Sequence, residues 1–219
     1  MTAMILAAGR GERMRPLTDE TPKPLLEVRG KPLIQWQVEK LREAGFNEIV
    51  VNVSWLGEQI IEFLGDGSRF DVAIDISEEP PGALETAGGI IRALPMLGER
   101  FVVVNGDVWT DFDFTRLRGL PDTADLAHIV LVDNPEHNRG GDFALLQSGI
   151  VSEHGTKRTF AGIGAYHRDL FAGYPDGERA LAPLLREAMA DGRVTGEIHR
   201  GVWSDVGTPE RLQDIQDKA

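Results

Sequence analysis

Apolar runs of four or five residues alternate with amphipathic segments along the first half of the chain. The apolar runs, rich in Val and Ile, cover residues 4–8, 49–53, 72–76 and 101–104. Segments with helical spacing cover residues 33–44, 59–64 and 88–94, and glycines at 45 and 65 end the first two. Short apolar runs are typical of buried parallel strands. This order of elements predicts a parallel sheet with right-handed crossovers and helices on both faces.

Beyond residue 107 the pattern changes to shorter strands. We expect strands over residues 125–132, 142–147, 150–154, 159–166 and 194–199, with a hairpin that turns at Ser148 and Gly149. Helices are predicted over residues 179–190 and 210–216, and Thr208 and Pro209 supply an N-cap and a first-turn proline for the second. The elements predict a single α/β domain, Rossmann-like and doubly wound, with a mostly parallel sheet and a small antiparallel lid.

The first strand runs into a loop rich in glycine and arginine. Gly9 and Gly11 allow backbone N–H groups to turn toward a ligand, and four cationic side chains follow within a few residues. Residues 10–31 carry six Lys or Arg against four Asp or Glu, in a chain of net charge −12. In an open parallel sheet, ligands bind outside the carboxyl ends of the strands. The local reversal of charge there predicts an anionic ligand.

Two common phosphate-binding motifs do not fit this loop. A P-loop requires Gly-Lys-Ser/Thr, which the chain lacks, and a dinucleotide fingerprint requires glycine where the chain has Met14. A nicotinamide-dependent oxidoreductase is therefore disfavoured. The prolines at 16, 22 and 24 fix the course of the loop and so fix where its cations point.

Composition narrows the class of protein further. The chain has 219 residues, of which 42% are hydrophobic, enough for one sizeable core. It contains no cysteine, which suits a reducing cytoplasm, and no apolar run approaches the ~20 residues of a membrane helix. The acidic balance argues against a nucleic-acid partner. We expect a cytoplasmic protein that binds small phosphorylated molecules, with no membrane partner.

The most apolar strand, over residues 101–104, ends in Asn105, Gly106 and Asp107. An ionised carboxylate at the carboxyl end of a central strand lies in the ligand crevice and requires a partner. Capping of the next turn is the alternative role. We favour Mg²⁺, because hard cations take carboxylate oxygens together with substrate phosphates.

Residues 6–18 read LAAGRGERMRPLT and are followed by Pro22-Lys23-Pro24. This pattern resembles the signature of the sugar-1-phosphate nucleotidylyltransferases, which join a nucleoside triphosphate to a sugar 1-phosphate and release pyrophosphate. Further segments extend the resemblance over nearly the whole chain: LETAG at 84–88, NGD at 105–107, TFAGIG at 159–164 and WSDVGTP at 203–209. They resemble the base-binding, metal-bearing, sugar-facing and closing motifs of the family.

The resemblance implies a role for each motif. It implies catalytic roles for Arg15, on the pyrophosphate, and Lys23, near the α-phosphate, and a Mg²⁺ ion on Asp107 and Asp205. The nucleotide-binding set that it implies is Ala7, Ala8, Gly9, Arg10, Gly11, Glu79, Thr86, Ala87 and Gly88. The sugar-phosphate set is Asn105, Gly141, Asp142, Phe143, Thr159 and Gly162. Residues up to about 110 would bind the nucleotide, and residues 111–219 would bind the sugar.

Some positions depart from the family pattern. Glu85 stands where the base-binding segment usually has glycine, and Glu79 is the candidate acceptor for the N3–H group of uracil. The usual Glu-Lys-Pro after the hairpin is absent, which leaves open whether Lys157 meets the sugar phosphate or is a solvated lysine. The five histidines show no ligand spacing, and we interpret them as structural or surface residues.

Within the family, the motifs most resemble the members that transfer UMP from UTP to N-acetylmuramate 1-phosphate in bacterial peptidoglycan recycling. Mannose or heptose 1-phosphate guanylyltransferases and glucose 1-phosphate uridylyl- or thymidylyltransferases are the alternatives. A non-catalytic nucleotide-sugar sensor would keep the glycine loop but would not need both aspartates. With no appended assembly domain in the sequence, we expect a monomer.

Overall fold

A computed structural model describes residues 1–80, 82, 84–120 and 125–217. The strands within these residues are β1 (Thr2–Leu6), β2 (Glu27–Val28), β3 (Lys31–Pro32), β4 (Glu48–Val53), β5 (Ala73–Glu78), β6 (Arg100–Asn105), β7 (Val108–Thr110), β8 (Ala127–Val132), β9 (Phe143–Leu145), β10 (Val151–Ser152), β11 (Lys157–His167), β12 (Val194–Ile198) and β13 (Trp203–Asp205). The helices are α1 (Leu33–Glu43), α2 (Gly57–Leu64), α3 (Glu85–Ala93), α4 (Thr115–Arg118), α5 (Leu181–Ala190) and α6 (Pro209–Asp217).

The central sheet has nine strands, and its two halves differ in direction. Strands β5, β4, β1 and β6 are parallel neighbours in that order. Strand β11 then pairs antiparallel with β6, with β8 and with β9, while β12 pairs parallel with β8. The predicted fold class is confirmed, because the parallel half and the antiparallel additions lie where the sequence pattern put them.

Alternate residues of the buried strands pack on opposite faces of the sheet. Ala3 and Ile5 of β1 join one core with Ile34 and Leu41 of α1, whereas Met4 joins a second core. That second core contains Ile90 and Ile91 of α3 together with Leu184 and Leu185 of α5. A strand buried on both faces must be apolar throughout, which is why these runs lack the polar alternation of half-exposed strands.

The register of β1 places two asparagines beside the ligand-binding edge. Leu6 is opposite Asn52 on β4 and opposite Asn105 on β6. All three residues lie at the carboxyl ends of parallel strands, where the glycine-rich loop begins. This edge therefore carries polar side chains on both sides of the loop.

The second half differs in detail from the sequence prediction. The hairpin strands over 142–147 and 150–154 are shorter in the structure, at 143–145 and 151–152, and β11 is longer than predicted. A register shift interrupts the pairing of β11 with β8 between Phe160 and Gly164. Gly162, inside this irregular stretch, has a φ of 70°, and a Cβ there would lie 2.6 Å from Nδ2 of Asn105. Glycine thus allows β11 to pass close to the end of β6.

Helix α6 brings the end of the chain next to the glycine-rich loop. Its Leu212 and Ile215 share a small core with Met14, Val28 and Leu33. Strand β13, just before this helix, pairs with β7 beyond the end of β6. The closing motif is thereby fixed against the signature loop. None of the helices in the described part of the chain is long and apolar enough to cross a membrane.

Candidate active site

A cleft of about 290 Å³ opens at the carboxyl edge of the parallel strands. It is lined by Leu6, Ala7, Ala8, Gly9, Lys23, Pro24, Asn52, Glu79, Leu84, Glu85, Thr86, Asn105, Gly106 and Asp107. Five residues of the predicted nucleotide set therefore line one cleft with Lys23, Asp107 and Asn105, whereas Arg15 and Asp205 do not line it.

Asn52 links the first loop to the candidate base acceptor. Its Oδ1 accepts a hydrogen bond from the N–H of Ala7 at 2.8 Å, and its Nδ2 donates to Oε1 of Glu79 at 2.6 Å. Burial raises the pKa of Glu79, against the opposing effect of this hydrogen bond. Asn52 was not among the predicted site residues, although an amide near the end of an apolar strand was a signal for a buried polar role.

The beginning of α3 forms one wall of the cleft, but only one of its three predicted nucleotide-binding residues lines that wall. Thr86 lines the cleft, whereas Ala87 and Gly88 are buried behind it. The N–H groups of Ala87 and Gly88 both donate to the carbonyl oxygen of Arg179, at 2.9 and 3.1 Å. Because these two amides already have an acceptor, they contribute to the site by fixing the position of α3.

Gly88 and Gly89 lack a Cβ, and each lets a different part of the protein approach α3 closely. A Cβ on Gly88 would overlap the carbonyl oxygen of Gly177, so this glycine accommodates the backbone that precedes Arg179. A Cβ on Gly89 would lie 2.5 Å from Oε1 of Glu79 and 2.8 Å from Nδ2 of Asn52. Glu85, where the family pattern has glycine, keeps the left-handed backbone conformation with a φ of 61°.

Lys23 and Asp107 form an ion pair across the cleft. The Nζ of Lys23 lies 2.5 Å from Oδ2 of Asp107, and their side chains are 13% and 25% exposed. The lysine comes from a 3₁₀ turn over Lys23–Leu25, where the neighbouring Pro24 fixes the backbone. Two of the four predicted catalytic residues therefore lie together, and each carries a charge that the other neutralises.

Asp205 lies beside Asp107 in the fold. It is opposite Val108 in the β7–β13 pair, and the N–H of Val206 donates to the carbonyl oxygen of Asp107 at 2.8 Å. Oδ1 of Asp205 accepts from Nη1 of Arg211 at 2.5 Å and lies 3.1 Å from Nε2 of His137. His137 was interpreted from the sequence as structural or surface. The structure places it against a predicted metal ligand, which its spacing along the chain could not indicate.

The donor chemistry of the two aspartates suits a divalent cation. Carboxylate oxygens are hard ligands of the kind Mg²⁺ takes, and each aspartate is already in contact with a cationic side chain. Among the described residues, no group of three or more His, Cys, Asp or Glu could hold a metal ion. A metal here would therefore complete its coordination with substrate phosphates and water.

A second, smaller pocket adjoins the cleft and shares Gly9 and Lys23 with it. Its other lining residues are Gly11, Glu12, Arg13 and Gly207. Arg13 is exposed, forms no ion pair with another described residue and lines this pocket. The charge of Arg13 is evident from the sequence, but its place in this pocket is not.

The other two arginines of the loop are engaged elsewhere. The side chain of Arg15 is 56% exposed, and its Nε lies 2.9 Å from Oδ1 of Asp19. Arg10 donates to the carbonyl oxygen of Thr18 at 2.8 Å and to Asp19 at 3.0 Å, and it stacks 3.7 Å above the ring of Trp55. The hydrogen bond from Arg10 and the charge of Arg15 hold the pKa of Asp19 below its usual value. Neither arginine lines the two pockets; both brace the loop that carries Arg13.

Residues predicted for the sugar form a hydrogen-bonded wall that includes β11. Oδ2 of Asp142 accepts from the N–H of Phe160 at 2.8 Å and from Asn138 at 3.2 Å. The hydroxyl of Thr159 is mostly buried and donates to Oδ1 of Asn134 at 3.1 Å.

Two further members of the predicted sugar set shape this wall. Phe143 belongs to the core. Gly141 has a φ of 63°, and a Cβ there would lie 2.7 Å from the backbone of Lys157. Within this set, Asn105 lines the cleft, and Gly162 packs against the side chain of Asn105.

Comparison with known proteins agrees with this geometry. Residues 2–143 match the nucleotidyl transferase family. Over 99% of its length the chain is 55% identical to the N-acetylmuramate alpha-1-phosphate uridylyltransferase of Neisseria meningitidis serogroup B, covering 97% of that protein. It is 35% identical to the protein of the same name from Caulobacter vibrioides, over 95% of this chain and 92% of the relative.

A solved structure supports the fold independently. The chain superposes on a putative glucose-1-phosphate thymidylyltransferase from Bacillus anthracis with a TM-score of 0.88, at 23% identity, covering all of this chain and 95% of the other. At that identity the likeness concerns the fold. The resemblance predicted from the motifs is confirmed: the chain belongs to the nucleotidyl transferase family.

Proposed function

We propose that this protein transfers UMP from UTP to N-acetylmuramate 1-phosphate, giving UDP-N-acetylmuramate and pyrophosphate. The observation that carries the proposal is the near-full-length similarity to two proteins of that name. The cleft and the adjoining smaller pocket support the same chemistry, because they combine the glycine-rich loop with the cations Lys23 and Arg13 and the carboxylate of Asp107.

The reaction requires two anions to be brought together in line. An oxygen of the sugar 1-phosphate attacks the α-phosphorus of UTP, and the bond to the pyrophosphate breaks with both electrons going to the leaving group. The attacking oxygen is already ionised, so no general base is needed. The residues contribute by positioning the reactants and by stabilising charge that develops in the transition state.

The cationic side chains of the loop would contact different phosphates of the nucleotide. Lys23 lies at the junction of the two pockets, so its ammonium would contact the α-phosphate. Arg13 would contact the pyrophosphate, since its guanidinium faces the smaller pocket without a carboxylate partner. Arg15 was predicted to hold the pyrophosphate directly; we propose that it acts as a positioning residue through Asp19.

The base would bind beside Glu79. The carboxylate of Glu79 would accept a hydrogen bond from the N3–H group of uracil, with its orientation fixed by Asn52. Ala7, Ala8, Gly9 and Thr86 would line the nucleotide, and Arg10, Gly11, Ala87 and Gly88 would support that surface. On the other side, Asn105 and Gly162 would face the sugar, and Gly141, Asp142, Phe143 and Thr159 would hold the wall in shape.

We propose that Asp107 and Asp205 hold Mg²⁺. When bound, the ion supplies charge neutralisation between the α-phosphate and the incoming phosphate. Lys23 and Arg211, which neutralise the two carboxylates in the structure, would then be available to substrate oxygens. This exchange would keep the charge of the cleft balanced as substrates enter.

The setting of the reaction is also proposed. N-acetylmuramate is a cell-wall sugar, so we propose a cytoplasmic enzyme of peptidoglycan recycling. It would act as a monomer with a single domain, in which residues up to about 110 bind the nucleotide and residues 111–219 bind the sugar.

The test is an assay of pyrophosphate release with Mg²⁺. UTP, GTP, CTP and dTTP would each be combined with the 1-phosphates of N-acetylmuramate, N-acetylglucosamine, glucose and mannose. The expected result is a strong preference for UTP with N-acetylmuramate 1-phosphate. Preference for GTP with mannose 1-phosphate would overturn the substrate assignment, and no release with any pair would overturn the proposed activity.

A further inference from the structure

Two guanidinium groups approach the same side of Gly207. Arg13 comes from the signature loop, and Arg211 comes from the first turn of α6. A Cβ on Gly207 would overlap Nη2 of Arg211 and would lie 3.3 Å from Nη2 of Arg13. The lack of a side chain at Gly207 therefore lets both guanidinium groups approach this position.

The two positive charges beside Gly207 are not fully paired within the part of the chain that the structure describes. Arg211 has one carboxylate partner, Asp205, at 2.5 Å. Arg13 forms no ion pair with any other residue in the described ranges. Like charges held this close repel unless an anion lies between them. Two guanidinium groups this close to one position suit an anion that bears several oxygens, because each can donate two hydrogen bonds.

The positions of Arg13 and Gly207 indicate which anion would bind. Both line the smaller pocket, together with Gly9, Gly11, Glu12 and Lys23, and Arg211 lies beside Gly207, next to that pocket. That pocket meets the main cleft at Lys23 and lacks the residues of the sugar wall. An anion here would continue from the α-phosphate away from the sugar, which is the place of the leaving pyrophosphate.

The carboxylate partner of Arg211 would compete with an anion. Nη1 of Arg211 donates to Oδ1 of Asp205 at 2.5 Å, so the guanidinium would have to leave this carboxylate, at least in part, to reach pyrophosphate. We propose that Arg211 is a pyrophosphate-binding residue, which would turn from Asp205 to pyrophosphate opposite Arg13. This inference rests on the proposed nucleotidyl transfer, although pyrophosphate is its product for any base and sugar.

The first test measures binding of inorganic pyrophosphate by calorimetry in metal-free buffer, without turnover. Arg211→Ala should weaken binding roughly tenfold, the loss expected for a charge-assisted hydrogen bond. Arg186→Ala is the matched control, because Arg186 pairs with Glu153 on the surface of α5 and should bind as the wild type does. Arg211→Lys should recover part of the affinity, since it keeps the charge but not the fork of donors.

The second test uses Asp205→Asn, which removes the carboxylate that holds Arg211. Pyrophosphate binding in metal-free buffer should become tighter than in the wild type, and Arg211→Ala in the same background should remove the gain. A purely structural ion pair would not produce this increase. In the reverse reaction, Arg211→Ala should raise the KM for pyrophosphate while leaving the KM for the nucleotide sugar near the wild-type value.

Unchanged pyrophosphate affinity in Arg211→Ala, with only a lower melting temperature, would overturn the inference and make Arg211 an anchor for α6. Unchanged affinity in Asp205→Asn would overturn the proposed exchange. Neither result depends on which nucleotide or sugar the enzyme accepts, so a failure of the substrate assignment would be recognised separately in the pyrophosphate-release assay.

Discussion

The Nζ of Lys23 lies 2.5 Å from Oδ2 of Asp107, although the two residues are 84 positions apart in the chain. The pair joins the end of the signature loop to the end of β6, and both side chains are largely shielded from water. Removing such charges from water is costly unless each has a partner. Either residue can therefore turn to a substrate or a metal only when an opposite charge replaces the first partner.

Replacing Asp107 with asparagine should reduce turnover far more than it reduces stability. Asp107→Asn keeps the shape of the side chain but removes a proposed metal ligand, so turnover should fall by at least about 10³-fold. Because Lys23 loses its anion, the free energy of unfolding should also fall, by about 1–3 kcal/mol. Steady-state kinetics and chemical denaturation would measure the two effects. Asp75→Asn, at an exposed position of β5, should change neither. Substantial Mg²⁺-dependent activity in Asp107→Asn would remove Asp107 from the mechanism.

Replacing each of two arginines of the signature loop with alanine should lower kcat/KM by very different amounts. Arg13 faces the smaller pocket without an ion-pair partner among the described residues, so Arg13→Ala should lower kcat/KM by about 10²–10³-fold. Arg15 pairs with Asp19 at the surface, and Arg15→Ala should cost less than about tenfold, since exposed ion pairs contribute little. Kinetics with saturating sugar phosphate would separate them. Equal losses would mean that Arg15 reaches the phosphates directly.

The central strands could be predicted from the sequence because burial on both faces requires uninterrupted apolar runs. Strand β6, for example, lies within one residue of its predicted bounds at each end. The start of α3 was predicted at residue 88 but lies at Glu85. The backbone of Glu85 is left-handed, which the sequence pattern does not indicate. The hairpin strands β9 and β10 were predicted too long, since short antiparallel strands have weak periodicity.

Site residues could be predicted where they belong to motifs at the ends of strands. They could not be predicted where they depend on contacts between distant segments of the chain. Asp107 and Lys23 were identified because they belong to compact motifs, and the structure brings them together. The contact of His137 with Asp205 joins segments far apart in the chain. The carbonyl of Arg179 likewise accepts from the start of α3, an arrangement that only tertiary packing creates.

Neighbouring glycines in α3 should respond differently to alanine. A Cβ on Gly88 would overlap the backbone of Gly177, which cannot move without shifting the chain, so Gly88→Ala should lose about 1–3 kcal/mol. A Cβ on Gly89 would meet the ends of two side chains, Glu79 and Asn52, which can move. Because alanine also favours the helix, Gly89→Ala should keep nearly wild-type stability.

The same pair of variants separates stability from nucleotide binding. In Gly89→Ala the displaced Glu79 would no longer meet the base, so the KM for UTP should rise roughly tenfold. Thermal denaturation and UTP kinetics on both variants would measure this contrast. An unaltered KM in Gly89→Ala would show that the position of Glu79 does not determine affinity for the base.

The raised pKa of Glu79 predicts how stability depends on pH. Burial disfavours the charged form, so the folded state binds this proton more tightly than the unfolded chain, whose pKa lies near 4.5. Well below that value both states are protonated and Glu79 costs nothing. As the pH rises through the folded pKa, the carboxylate ionises in its buried position and the protein loses stability.

Glu79→Gln removes this ionisation while keeping an oxygen that can accept from Asn52. The variant should therefore gain melting temperature over the wild type as the pH is raised from 4 to 7, with little difference at pH 4. Glu48→Gln, an exposed position on β4, is the control and should show a difference that does not change with pH. Melting curves at several pH values would measure it. A gain for Glu79→Gln that is as large at pH 4 as at pH 7 would mean that packing, and not the buried charge, separates the variant from the wild type.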